Sequence, residues 1–149
     1  MSILYELVRP WHELYTDVLR LKIETLLAPK SAYGITAQRQ KTEYDCGQTC
    51  LDMLGYDGHG MFPTRLLTTK QLMSIEGVVL REDIDNPHKT FYDEPCMIVT
   101  TNFIIGHWTI GYKDRIFCPS RGILTPKQFF RNRLYYHPDV YQVPFKSSK

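Results

Sequence analysis

The chain has no long apolar run. Nowhere in its 149 residues do about 18 apolar residues follow one another, which a membrane-crossing helix would need. No membrane partner is therefore expected. An excess of charge of one sign is missing too. The formal net charge is +2, with Lys and Arg scattered among the acids. Phosphate binding needs a concentrated basic patch, so nucleic acid is not an expected partner either. The basic end from Lys146 to Lys149 reads as a solvated terminus. The opening MSILYELVRPWHELY does not read as a signal peptide, because it carries charges inside its would-be apolar stretch. The expectation is a cytoplasmic protein with reduced thiols.

Cysteine is sparse, with four in the chain: Cys46, Cys50, Cys96 and Cys118. Without an export signal, structural disulfides are not expected. Structural zinc sites usually show two close ligand pairs. Here Cys46 and Cys50 form the one close pair and the others stand singly. No metal and no organic cofactor is expected. Internal repeats and low-complexity segments are also missing.

What is present fits one compact domain. Hydrophobic residues make up 43% of the chain, and Tyr is plentiful at 10 residues, a ring type that fills cores and lines clefts. The domain is expected to span 1–149, with 1–37 as a helical extension. In that extension Leu4, Leu7, Trp11, Leu14, Val18 and Leu21 recur at three- and four-residue steps, which predicts a helix over about 3–27, interrupted by Pro10 and stopped near Ala28-Pro29. The favoured reading packs this helix on the domain's own core. The sharper reading makes it an oligomerisation or partner-docking helix.

Residues 30–44 are polar and read as a loop. Asp45 precedes CGQTCLDML and reads as an N-cap whose carboxylate accepts a free backbone N–H of the first turn. Cys46 then stands at a helix N-terminus, with the helix ending near Gly55. GYDGHGMFP reads as a loop. TTKQLMSIEG reads as a short helix with Leu72 and Ile75 inward and Gly77 at its stop. The second half is strand-like: VVLRED, then MIVT, HWTIGY and RIFC, with Lys113-Asp114 as a tight hairpin. TPKQFFRNRL reads as a last helix, capped by Thr125 with Pro126 at its first position. Helices first and strands afterwards predict an α+β fold, with the N-terminal helices packed on an antiparallel sheet.

A thiol becomes a strong nucleophile on losing its proton, and a helix N-terminus or a neighbouring imidazole favours that loss. Cys46 meets the first condition from sequence alone. Gly47 beside it leaves room for a substrate backbone. His107, after Gly106 at the start of HWTIGY, is the best partner on the sheet. His12 is in the N-terminal helix, His59 and His88 are in apparent loops, and His137 is near the C-terminus. Gln40, six residues before Cys46, can donate to the oxyanion of a tetrahedral intermediate. Gln38 is an alternative that spacing does not separate from it. Each residue alone has a bland reading: a small buried Cys, a structural His, a surface Gln. The joint pattern carries the inference.

The stretch QKTEYDCGQTCLDMLGYDG resembles the opening of the bacteriocin-processing, double-glycine leader peptidases, the papain-like cysteine peptidase domains at the front of many bacteriocin-exporting ABC transporters. Gln40, Asp45, Cys46, Gly47, Cys50, Leu51 and Met53 fall on its pattern. Pro95, MIVTT, His107-Trp108, IFCP and Gly122 follow in the family's order, and LTPKQFF echoes its closing helix. The resemblance covers about residues 38–131. It implies a papain-like peptidase domain over 38–149, with Cys46 as nucleophile, His107 as general base and acid, and Gln40 as oxyanion donor. Where the family has Asp before Pro, this chain has Cys118 before Pro119. That Asp orients the imidazole. Cys118, Ser120, a backbone carbonyl or Asp114, at the hairpin tip, stand as replacements. No transporter segments follow, so a stand-alone protein is expected. The expected partner is a peptide or protein substrate, held by Tyr44, Gly47, Phe103 and Trp108. The expected reaction is peptide or isopeptide hydrolysis. The alternatives are a catalytically impaired peptide-binding module and an acyl or peptidyl transferase on the same fold.

Overall fold

A computed structural model describes residues 15–16, 18–20, 22–23, 26–63, 65–84, 91–101, 106–131 and 136–146. The predicted helix positions Leu4, Leu7, Trp11, Leu14 and Leu21 lie outside them. So do His12, His88 and Phe103.

The fold is α+β and its strand pairing is antiparallel throughout. After the helical residues of the N-terminal segment comes a small hairpin, β1 (Ser31–Ala32) and β2 (Ile35–Thr36). Three helices follow: α1 (Cys46–Met53), α2 (Gly58–Met61) and α3 (Thr69–Met73). Then come β3 (Val79–Leu80), β4 (Tyr92–Thr101), β5 (Gly106–Lys113), β6 (Arg115–Cys118), β7 (Gly122–Leu124), α4 (Pro126–Phe129) and β8 (Tyr136–Gln142). The six-stranded sheet runs β3-β8-β4-β5-β6-β7.

Alternation along the strands divides the core in two. Met97, Trp108, Ile110 and Phe117 face a cluster with Cys50, Leu51 and Leu54 of the α1 region. Cys96, Ile98, Ile116 and Cys118 belong to a second cluster with Phe129 of α4. Helix α1 is thus pinned against β5 by its apolar face.

Local chemistry accounts for most boundaries. Thr68 and Gln71 form a reciprocal capping box at α3, and Thr125 and Gln128 do the same at α4, with Pro126 in its first turn. Tyr112 pairs with Arg115, so Lys113-Asp114 is a two-residue turn, and Lys113 takes φ 52°. Pro95 is tolerated within β4 because the register with β5 slips between Tyr92 and Cys96.

Several expectations are corrected. Residues 30–44 are not all loop, since Tyr33 (φ 53°) and Gly34 (φ 83°) turn the β1–β2 hairpin. GYDGHGMFP contains α2, held open-ended by carboxylates: Gly58 N–H donates to Asp52 and Gly60 N–H to Asp57. Strand β8 was not expected, and it lies between β3 and β4. The described apolar residues of the N-terminal segment are helical but do not join the core. Leu26 and Leu27 are 82% and 77% exposed, and Tyr15, Val18 and Ile23 are also exposed. Among the described residues, the helices that pack on the sheet are α1, against β5, and α4, against β6 and β7. No helix among the described residues is long and apolar enough to cross a membrane.

Candidate active site

Helix α1 begins at Cys46, with Asp45 at the N-cap position. The Asp45 side chain does not cap the helix. It turns back and accepts from the backbone N–H groups of Lys41 (3.0 Å) and Thr42 (2.9 Å) and from the Thr42 hydroxyl (3.0 Å). Its backbone carbonyl accepts from Thr49 N–H and Thr49 Oγ1, both at 2.9 Å. Asp45 therefore ties the preceding loop to the helix start, and the first-turn N–H of Cys46 is not spent on that carboxylate.

Strand β5 brings up the imidazole. Trp108 N–H points at Cys46 Sγ, 3.5 Å away, which sets the sulfur against the start of the strand. The Trp108 ring belongs to the α1-facing core, and its Nε1 donates to the Leu67 carbonyl at 3.0 Å. His107, one residue earlier, alternates toward the face that holds Cys118. Its Nε2 is 3.4 Å from Cys118 Sγ, and Cys118 Sγ is 3.2 Å from Ser120 Oγ. The Cys46 sulfur is near enough to favour the charged form of the ring as well. One imidazole thus lies between two sulfurs.

The electrostatics follow from that. Burial disfavours the charged ring, but hydrogen bonds to Cys118 and Cys46, and their negative charge when ionised, push His107 up to about 10. Burial alone would raise Cys118. The bond to His107, its charge and the bond to Ser120 outweigh that and lower the thiol to about 7. Cys50, one helical turn along from Cys46, is completely enclosed, and burial pushes it far up. It is a packing residue. Although Cys118 is the acidified thiol, Cys46 is the one that lines a cleft. That cleft has a volume of about 230 Å³, and its walls include Tyr44, Leu67, Val99, Gly106 and Trp108.

The loop that carries Gln40 is sewn to the Cys118 turn. Gln40 N–H donates to the Pro119 carbonyl at 3.0 Å, and Arg39 Nη1 to the Ser120 carbonyl at 2.6 Å. The Gln40 amide gives one hydrogen to the Thr42 carbonyl at 2.8 Å, while its buried oxygen has no partner among the described residues.

Of the expected residues, Cys46, His107, Cys118 and Ser120 come together, and Tyr44 and Trp108 line the cleft. Asp114 does not join them. It stands at the β5–β6 turn, more than half exposed, bonded to the Tyr33 hydroxyl (2.5 Å) and to Arg115 (3.0 Å). Gly47 has a different reason for being glycine. A Cβ there would lie 2.5 Å from Leu67 Cβ and 2.9 Å from Trp108 Cδ1, so its bareness serves packing of the helix start.

His59 was underrated. Its Nε2 is 2.9 Å from Asp45 Oδ2 and its Nδ1 is 2.5 Å from Asp52 Oδ2. The bond to Asp45 outweighs partial burial, and with the Asp52 bond and both carboxylate charges it raises the His59 pKa. The signal was available: Asp45 and Asp52 are seven residues apart, two turns on one helix face. Among the described residues no group of three or more His, Cys, Asp or Glu is arranged to hold a metal ion. No protein-family model matches this sequence, and no curated protein is significantly similar to it.

Proposed function

We propose that the protein is a papain-like cysteine hydrolase that acts on a peptide or isopeptide bond. The observation that carries the reading is the single imidazole between a cleft-lining thiol and a second, buried thiol. An imidazole held this way serves as a proton carrier with a fixed orientation. Nε2 is engaged by Cys118, and the same ring serves Cys46 and the leaving group. Cys118, backed by Ser120, takes the orienting role that a carboxylate plays in other triads.

In this mechanism the Cys46 thiolate, its proton held by His107, attacks the substrate carbonyl carbon, and the C=O π electrons move to oxygen. The first-turn N–H of Cys46 has no intrahelical partner and holds the oxyanion. The second amide hydrogen of Gln40 adds to it. His107 gives its proton to the leaving nitrogen as the C–N bond breaks, which leaves a thioester. Water then loses a proton to His107 and adds to the thioester carbonyl, and the C–S bond breaks to release a carboxylic acid.

A second reading, a peptide-binding module without turnover, is favoured by one observation: the Gln40 amide already gives a hydrogen to Thr42. The deciding experiment is labelling by a thiol-reactive peptide probe with site mapping by mass spectrometry. The expected product carries the probe on Cys46, and Cys46→Ala abolishes labelling. Label that persists in the variant, or that maps to Cys50 or Cys118, removes Cys46 from the role of nucleophile.

A further inference from the structure

Tyr44 lines two cavities. One is the Cys46 cleft. The other, about 500 Å³, is walled by Tyr44, Phe62 and Pro63, with Lys41, Arg65 and His59 among its charged groups. That volume is within the usual range for a ligand pocket. The Arg65 guanidinium lies over the Tyr44 ring, 4.1 Å from its centroid, which holds it at the boundary between the two spaces.

The charges do not balance locally. Asp45 also lines this second cavity, but its carboxylate is filled by the loop N–H groups, the Thr42 hydroxyl and His59. His59 is shared with Asp52. Neither Lys41 nor Arg65 has an ion-pair partner among the described residues. With His59 protonated, the three cations and two carboxylates leave one net positive charge beside apolar walls. A singly charged anion on a partly apolar chain suits that surface, whereas a dianion would overfill it and meet Asp45.

We propose that this second cavity is a substrate subsite for a carboxylate, carried by the peptide within a few residues of the scissile bond. It rests on the hydrolase reading above. The carboxylate is either a Glu or Asp side chain or the substrate's own C-terminus. Lys41 and Arg65 hold it, Phe62 and Pro63 pack on its carbon stem, and Tyr44 separates it from the bond being cut.

The test uses peptidyl vinyl sulfones carrying Glu, Gln or Lys one, two or three residues from the warhead, with labelling of Cys46 in the full chain followed by mass spectrometry. At one position Glu is expected to label roughly fivefold faster than Gln, the scale of one or two exposed charge pairs. Arg65→Glu and Lys41→Glu should each erase that preference, and the double variant should favour Lys. Cys46 labelled at equal rates by Glu and Gln probes at every position overturns the subsite and leaves the hydrolase reading standing. If no probe labels Cys46, the hydrolase reading fails. The subsite is then judged by calorimetric titration of Cys46→Ala with a Glu-containing peptide. Binding that Arg65→Glu abolishes supports the subsite, and no difference between the two proteins overturns it. The same titration with free-acid and amidated peptides separates a terminal carboxylate from a side-chain one.

Discussion

Replacing Cys118 by Ala tests the imidazole between two sulfurs most directly. His107 ordinarily titrates near 6.5 and is pushed up to about 10 against the opposing effect of burial. Of the groups that raise it, Cys118 gives the larger hydrogen bond and the larger charge interaction, and Cys46 the smaller of each. Removing Cys118 therefore takes away more than half of the rise, so the His107 midpoint should fall to about 8 or below. That is on the order of 3 kcal/mol of lost preference for the imidazolium. The sign is fixed by the two groups. Cys118 is lowered to about 7 and is ionised above that pH, while His107 stays protonated until pH rises through about 10. The thiolate–imidazolium pair thus occupies the window between them, and Cys118→Ala abolishes the pair and lets the imidazole lose its proton at lower pH. The assay is an NMR titration of the His107 ring carbons, with iodoacetamide labelling of Cys46 in parallel. On the proposed hydrolase reading, losing the charge-assisted bond should slow peptide hydrolysis about ten- to a hundredfold. Cys118→Asp offers His107 and Ser120 a carboxylate and should keep the midpoint high. A His107 midpoint that does not move in Cys118→Ala refutes the reasoning outright.

Two further perturbations probe the frame around Cys46. His59 has a raised pKa, so its bridge between Asp45 and Asp52 stabilises the fold fully below its unfolded value near 6.5, and that contribution is lost as pH rises through the raised one. His59→Ala should therefore lower Tm by roughly 2–4 °C at pH 6 and by much less at pH 9, as read by calorimetry; an equal loss at both values would show that packing matters and the charge does not. Gly47→Ala forces a methyl against Leu67 and Trp108 and should cost about 1–3 kcal/mol by overpacking, measured by urea denaturation. An unchanged midpoint would mean that the helix start is free to shift.

The parts of the fold that could be read from sequence are those set by neighbouring residues. The Thr68–Gln71 and Thr125–Gln128 boxes close within three residues, and the Lys113-Asp114 turn within two, so local chemistry is enough to specify them. Helix α2 is different. Gly58 and Gly60 argue against a helix, and it forms because Asp52, on the preceding helix, takes the Gly58 N–H and Asp57 takes that of Gly60. Strands β1 and β2 have two residues each, too short for any alternation to show. Strand β8 gains its place from non-local pairing with both β3 and β4, which no window of sequence contains. The exposed Val18, the one described member of the predicted apolar stripe, teaches the converse lesson: helical spacing gives periodicity, but whether a core covers a position depends on the rest of the chain.

The site divides along the same line. Cys46 at the start of a helix and His107 at the start of a strand are properties of single segments, and both were legible. Which group stands behind the imidazole is a property of three segments at once. Strand alternation turns His107 away from Trp108 toward the face of Cys118, the turn after β6 brings Ser120 against that sulfur, and the Arg39–Gln40 loop is bonded to the same turn. Asp114 is close in sequence to Cys118, which stands in the usual carboxylate's place, but the two-residue turn that makes β5 and β6 neighbours also puts Asp114 at their far end, beside Tyr33. The hairpin that delivers Cys118 to His107 is thus what removes Asp114 from it. A thiol in that position gains acidity from the ring it bonds, so the charges of Cys118 and His107 rise and fall together.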